Sequence, residues 1–201
     1  MTFMLSSKAC QPPCSHTVPH FTQASHAPSW KAHLDSADAI QQRWLSDTGS
    51  LTRRLTQVAD GNFQVTPINE GWAMLRDDEC AALGLPLGVT GWVREVQLKG
   101  NGRPWVFARS VAGQQALVQD GFPIEALGTR SLGELLFVDG GFSRGPLEAC
   151  HYPPAWVPGL LLEAAPLARR SRFERGTLGL LVTEVFLPEF WATLPDPKET
   201  C

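Results

Sequence analysis

The stretches "TGWVREVQLKG" and "RPWVFARSVA", joined by Asn101 and Gly102, constrain this chain more than any other part of it. Both runs alternate with the two-residue period of a β-strand, and Asn-Gly favours the left-handed backbone of a tight hairpin turn. "LARRSRFERGTLGLLVTEVFL" reads as a second hairpin turning near Gly176, and "NFQVTPINEGW" as a further strand interrupted at Pro67. Helical signals are fewer. In "SADAIQQRWLS", Ala37, Ile40, Trp44 and Leu45 recur at helical spacing up to about Asp47, and Ser50 can cap "LTRRLTQVA", with Leu51, Leu55 and Val58 on one side. Ser131 can cap a short helix that packs Leu132, Leu135 and Leu136 inward. Strands joined by hairpins, with helices between them, predict an α+β domain built on an antiparallel sheet.

The chain has 201 residues, 43% of them apolar, enough for one well-buried core. The expected organisation is a flexible extension over 1–34, which holds no Asp or Glu, a domain over 35–190 and a tail over 191–201. A net charge of −3 with scattered Lys and Arg argues against nucleic acid or an anionic membrane as partner. No apolar stretch approaches the roughly 20 residues that span a bilayer, and the first residues lack a hydrophobic signal core, so a cytoplasmic protein is expected. No long apolar stripe calls for a partner subunit, which points to a monomer. Five cysteines in a chain of this size suit free thiols. Cys10, Cys14, His16 and His20 are close in sequence, but their spacing and intervening prolines make a poor zinc site.

Three charges break the strand pattern. Arg94 shares a face with Trp92, Val96 and Leu98; Arg109 with Trp105, Phe107 and Val111; Glu184 with Leu180, Val182 and Phe186. An unpaired buried ion costs several kcal/mol, so these groups must be paired, hydrated or reserved for a ligand. A structural ion pair between Glu184 and one arginine is one reading. The other follows from the surplus arginine: two guanidinium groups and one acid in an apolar enclosure suit a small anionic molecule with a polar group. Elsewhere, "RRSR" at 169–172 reads as a solvated strand end or pocket rim. Cys150 and His151, adjacent on a strand, point to opposite faces and make poor thiol–base partners.

"GWVREVQLKGNGRPWVFARSV", "LGTRSLGELLF" and "RRSRFERGTLGLLVTEVFLP", in this order, closely resemble the chorismate lyase family. The resemblance implies an antiparallel sheet with flanking helices enclosing an internal site. It implies an enzyme that converts chorismate to 4-hydroxybenzoate and pyruvate, a step toward ubiquinone, without metal or organic cofactor. It also implies roles: Arg94 for the ring carboxylate, Glu184 for the ring hydroxyl and Leu132 for backbone contacts to the carboxylate. Leu51 falls where the family carries methionine. Arg109 then suits the enolpyruvyl carboxylate and the charge that develops there. A protonated Glu184 donating to the ether oxygen and a concerted transfer of the ring hydrogen are both compatible with these residues. Enclosure predicts slow product release and product inhibition. The alternative is a small-acid-binding sensor domain of the same fold; such domains normally follow a winged helix-turn-helix, for which the 34-residue tail and two short helices are expected to leave no room, and both arginines with the glutamate favour an enzyme.

Overall fold

The structure, a computed structural model, describes residues 27–138 and 141–195. Two helices come first: α1 (Ala39–Leu45), closed by a capping box between Asp38 and Gln41, and α2 (Leu51–Val58), whose first turn is capped by the Ser50 hydroxyl. Strand β1 (Phe63–Met74), helix α3 (Asp77–Leu83) and the hairpin strands β2 (Thr90–Gly100) and β3 (Arg103–Gly113) follow. Then come α4 (Gln114–Asp120), α5 (Leu132–Val138), the short strands β4 (Ser143–Arg144) and β5 (Glu148–His151), the second hairpin β6 (Leu167–Arg175) and β7 (Leu178–Phe186), and α6 (Pro188–Trp191). One antiparallel sheet runs β1-β2-β3-β7-β6-β4, with β5 also paired to β6.

The two hairpins arise from local chemistry. Asn101 and Gly102 both have positive φ, 52° and 76°, as a tight turn matched to strand twist requires. The register contains one irregularity. Gly100 and Lys99 face Arg103 and Pro104, but Leu98 faces Val106, so Trp105 is an extra residue on β3. The bulge turns the Trp105 ring onto Gly100, where an added Cβ would come within 2.1 Å of it. Trp105 therefore joins the core cluster of Val96, Val106 and Phe186 and not the face of Phe107 and Val111, correcting the alternation expected for this strand.

Both faces of the sheet are covered. On one face, α1, α2, α5 and α6 bring Trp44, Leu51, Leu55, Leu132 and Phe190 against Val96, Val106, Ala112, Leu180 and Phe186. On the other, α3 and the segment after β5 pack Cys80, Leu83, Tyr152 and Val157 onto Val93, Phe107, Val111 and Val185. Residues on either side of the 35–190 span also take part in this core. Lys31 exchanges backbone hydrogen bonds with Ala149, Leu34 is buried, and Trp191 and Leu194 pack against the same cluster. The Cys10, Cys14, His16 and His20 group lies outside the described residues.

Candidate active site

The face under α2 and α5 holds a partly enclosed pocket lined by Leu51, Val96, Ala108, Leu132 and Val182 and by three charged side chains, Arg94, Arg144 and Glu184. Arg94 and Glu184 are set on the same side of the sheet by register: Arg94 faces Ser110 and Ser110 faces Val182, while Ala108 faces Glu184. Two inter-strand spacings and two residues therefore separate them, about 10 Å across the sheet and about 7 Å along it.

Arg94 is only 2% exposed and held in place at two edges. Its Nε donates to Glu70 Oε1 at 2.5 Å from the neighbouring strand β1, and Nη2 donates to the carbonyls of Gly128 (2.7 Å) and Arg130 (3.1 Å). Nη1 has no protein partner among the described residues. The carbonyl contacts tie Arg94 to the segment entering α5, so the first turn of that helix, with Leu132 and Gly133, sits beside the guanidinium. Ser131 Oγ accepts from Gly133 N–H (3.2 Å) and bonds Thr52 Oγ1 (2.6 Å), joining α5 to α2 and bringing Leu51 to the wall. The remaining N–H groups of that first turn lack intrahelical acceptors, as at any helix start.

Glu184 has a partner of its own. Arg169, directly opposite on β6, donates from Nε to Glu184 Oε2 at 2.6 Å, and its Nη1 donates to the carbonyls of Trp44 (2.6 Å) and Asp47 (2.8 Å) at the end of α1. The acid is thus presented as a carboxylate held by a buried guanidinium, an acceptor of hydrogen bonds. Arg144, on β4, donates from Nε to Ser171 Oγ (2.9 Å) and from Nη1 to the carbonyls of Thr48 (2.7 Å) and Gly49 (3.3 Å). Burial pushes its pKa down from the ordinary arginine value, and Glu184 only partly counters this.

Arg109 does not reach this cavity. Its side chain is on the opposite face, where Nε and Nη2 grip Glu79 of α3 at 2.6 and 3.0 Å and Nη1 bonds Glu95 at 2.8 Å. Burial alone would raise the Glu79 pKa, but the hydrogen bonds and charge of Arg109, with the charge of Arg76, hold it below its usual value. The "RRSR" run is only partly solvated: Arg169 and Arg170 are buried, Arg170 pairs with Glu148 and Asp78, and Arg172 pairs with Glu174 in a more exposed position. Cys150 is buried, its thiol pKa pushed up to about 12 by burial, while His151 is exposed and bonded to Ser36.

With this geometry in view, comparison with known proteins is decisive. The sequence profile of chorismate lyase matches residues 27–194. The chain belongs to the chorismate lyase family. It is 55% identical over 177 residues to the probable chorismate pyruvate-lyase 2 of Pseudomonas entomophila strain L48, covering 87% of this chain and 96% of that one. It is 61% identical over 158 residues to the probable chorismate pyruvate-lyase of Pseudomonas aeruginosa strain UCBPP-PA14, covering 79% and 89%. Among solved structures, the effector domain of PhnF from Mycobacterium smegmatis aligns at 14% identity with a TM-score of 0.48, over 71% of this chain and 91% of that one.

Of the residues that the family resemblance nominated, Arg94, Glu184, Leu51 and Leu132 line one cavity and Arg109 does not. Sequence reasoning missed Arg144, Arg169 and Glu70. The signal for Arg169 was present in the period of β6, which sets Arg169, Ser171 and Phe173 on one face and Arg170 and Arg172 on the other. Arg144 stands in a strand of two residues, too short to carry a pattern.

Proposed function

We propose that this member of the chorismate lyase family cleaves chorismate to 4-hydroxybenzoate and pyruvate in the cavity between the sheet and helices α2 and α5. One observation carries the reading: a guanidinium and a carboxylate stand at two ends of the same largely apolar pocket, Arg94 with a free N–H edge and Glu184 as an acceptor. Chorismate offers the complementary ends, a ring carboxylate and, para to it, a ring hydroxyl. Arg94 and the first backbone N–H groups of α5, beginning at Leu132, would hold the carboxylate, Glu184 would accept from the hydroxyl, and Leu51 would close the ring's apolar edge. No helix among the described residues is long and apolar enough to cross a membrane.

The chemistry asks little of the protein beyond orientation and charge placement. The bond between ring carbon and enolpyruvyl oxygen breaks, and its electrons form the carbonyl of pyruvate. The hydrogen on the hydroxyl-bearing ring carbon leaves, and the electrons of its bond complete the aromatic ring. That hydrogen ends on the methylene carbon, which becomes the methyl group. Glu184, ion-paired with Arg169, is suited to orienting the hydroxyl, which favours direct transfer of the hydrogen over protonation by the acid. Turnover in deuterium oxide tests this: pyruvate trapped as it forms should carry no solvent deuterium in its methyl group, and a deuterated methyl group would overturn direct transfer.

A site covered by α2 and α5 also implies slow release of the aromatic acid, with inhibition by 4-hydroxybenzoate, and the lining residues named here come from one chain, consistent with a monomer. The deciding experiment mixes purified protein with chorismate in EDTA and follows both products by chromatography. Equimolar 4-hydroxybenzoate and pyruvate are expected. Chorismate left intact while 4-hydroxybenzoate still binds would make the protein a sensor of small acids instead.

A further inference from the structure

We infer that Arg144 binds the second carboxylate of the substrate, the one on the enolpyruvyl arm, an inference that rests on the chorismate reading above. Charge balance gives the first argument. Around the cavity Arg94 is matched by Glu70 and Glu184 by Arg169, while Arg144 makes no salt bridge to any described carboxylate. Among the described residues the site therefore carries one cation more than its own acids balance. A dianion whose first carboxylate sits on Arg94 has a second negative charge to place, and a half-buried guanidinium with no salt bridge to a described carboxylate is the group that gains most from it.

Position gives the second argument. In strand order the charges run Glu70 on β1, Arg94 on β2, Glu184 on β7, Arg169 on β6 and Arg144 on β4. Glu184 thus lies between the two cavity arginines, and the charges that Arg144 feels are those of Glu184, Arg169 and Asp47 rather than Arg94. The substrate has the same order. Its ring carboxylate is para to the hydroxyl, and the enolpyruvyl ether sits on the carbon next to the hydroxyl, so the arm's carboxylate emerges on the hydroxyl side. Arg109, the other candidate, is across the sheet and saturated by Glu79 and Glu95.

Preorganisation is the third. Bonds to Ser171, Thr48 and Gly49 fix Nε and Nη1, and the guanidinium carbon lies 5.2 Å from the Phe173 ring centroid. Nη2 has no protein partner among the described residues, leaving a donor for an incoming oxygen.

The test separates substrate from product, because 4-hydroxybenzoate lacks the enolpyruvyl arm. In Arg144→Gln, kcat/KM for chorismate should fall by about 30-fold or more, the cost of one charge-assisted contact, while the Kd of 4-hydroxybenzoate stays within about 3-fold of wild type. Arg144→Lys, which keeps the charge, should recover part of the loss. An active wild type with unchanged kcat/KM in Arg144→Gln overturns this inference alone. Equal loss of substrate turnover and product binding also overturns it, since support for the cavity wall would produce that pattern. A wild type that leaves chorismate intact overturns the function reading and this inference with it.

Discussion

The two faces of the central sheet bury arginines in opposite ways. On the face under α3, Arg109 is gripped by both oxygens of Glu79 and by Glu95, and Arg76 donates to Tyr152 at 2.7 Å. In that cluster every guanidinium nitrogen of Arg109 meets a carboxylate of the protein. On the cavity face, Arg94, Glu184 and Arg144 are each anchored along one edge and open along another. Both faces carry the desolvation cost of buried charge; on the cavity face the open edges of the charged groups border an apolar pocket.

The largest effect that would break this contrast belongs to Arg94. Arg94→Ala should weaken 4-hydroxybenzoate by roughly 100-fold or more, as truncation of a buried charged partner does, measured by calorimetry on protein whose circular dichroism confirms folding. An unchanged Kd would remove Arg94 from the site. Arg109→Leu should behave in the opposite sense. Stability should drop by about 3–5 kcal/mol in urea titration because Glu79 and Glu95 lose a buried partner, while kcat/KM of the folded fraction stays within about 3-fold. A folded, stable Arg109→Leu protein that has lost turnover would show that the Arg109 cluster serves the chemistry after all.

Acid should sharpen the same distinction. The folded-state pKa of Glu79 is lowered, so its contribution to stability is complete above the unfolded value and is lost as pH falls through the folded one. Thermal melts should therefore show Tm falling below about pH 4.5, and Glu79→Gln should be less stable at neutral pH and flatter along that acid limb. An acid limb as steep in Glu79→Gln as in wild type would assign the pH response elsewhere. The smallest effect is at the cap of α2, the helix that carries Leu51 to the cavity. Ser50→Ala should cost about 1 kcal/mol, read as a shift in the urea midpoint at constant slope. No shift would mean that packing of Leu51 and Leu55 alone holds the first turn.

How far the sequence could be read is clearest along β2 and β3. Alternation identified both strands, the Asn101–Gly102 turn and the buried arginine on each. It could not say that Arg94 and Arg109 face opposite ways. With an unbroken register from the Gly100–Arg103 pair, Arg94 would stand opposite Arg109, two like charges on one face. The extra residue at Trp105 moves the pairing by one position, so that Arg94 faces Ser110 and Arg109 faces Glu95. A bulge has no period of its own and leaves no trace in either strand read singly.

Short-range chemistry therefore determined the strands, turns and capped helices of this protein, and the three charged blocks were enough to expose its family. Tertiary structure alone decided which charges meet. The partners Glu70, Arg169 and Glu79 and the open cation Arg144 come from other strands and helices. Their pairing depends on sheet order, on register and on which helix covers which face, and none of these is a property of any one segment.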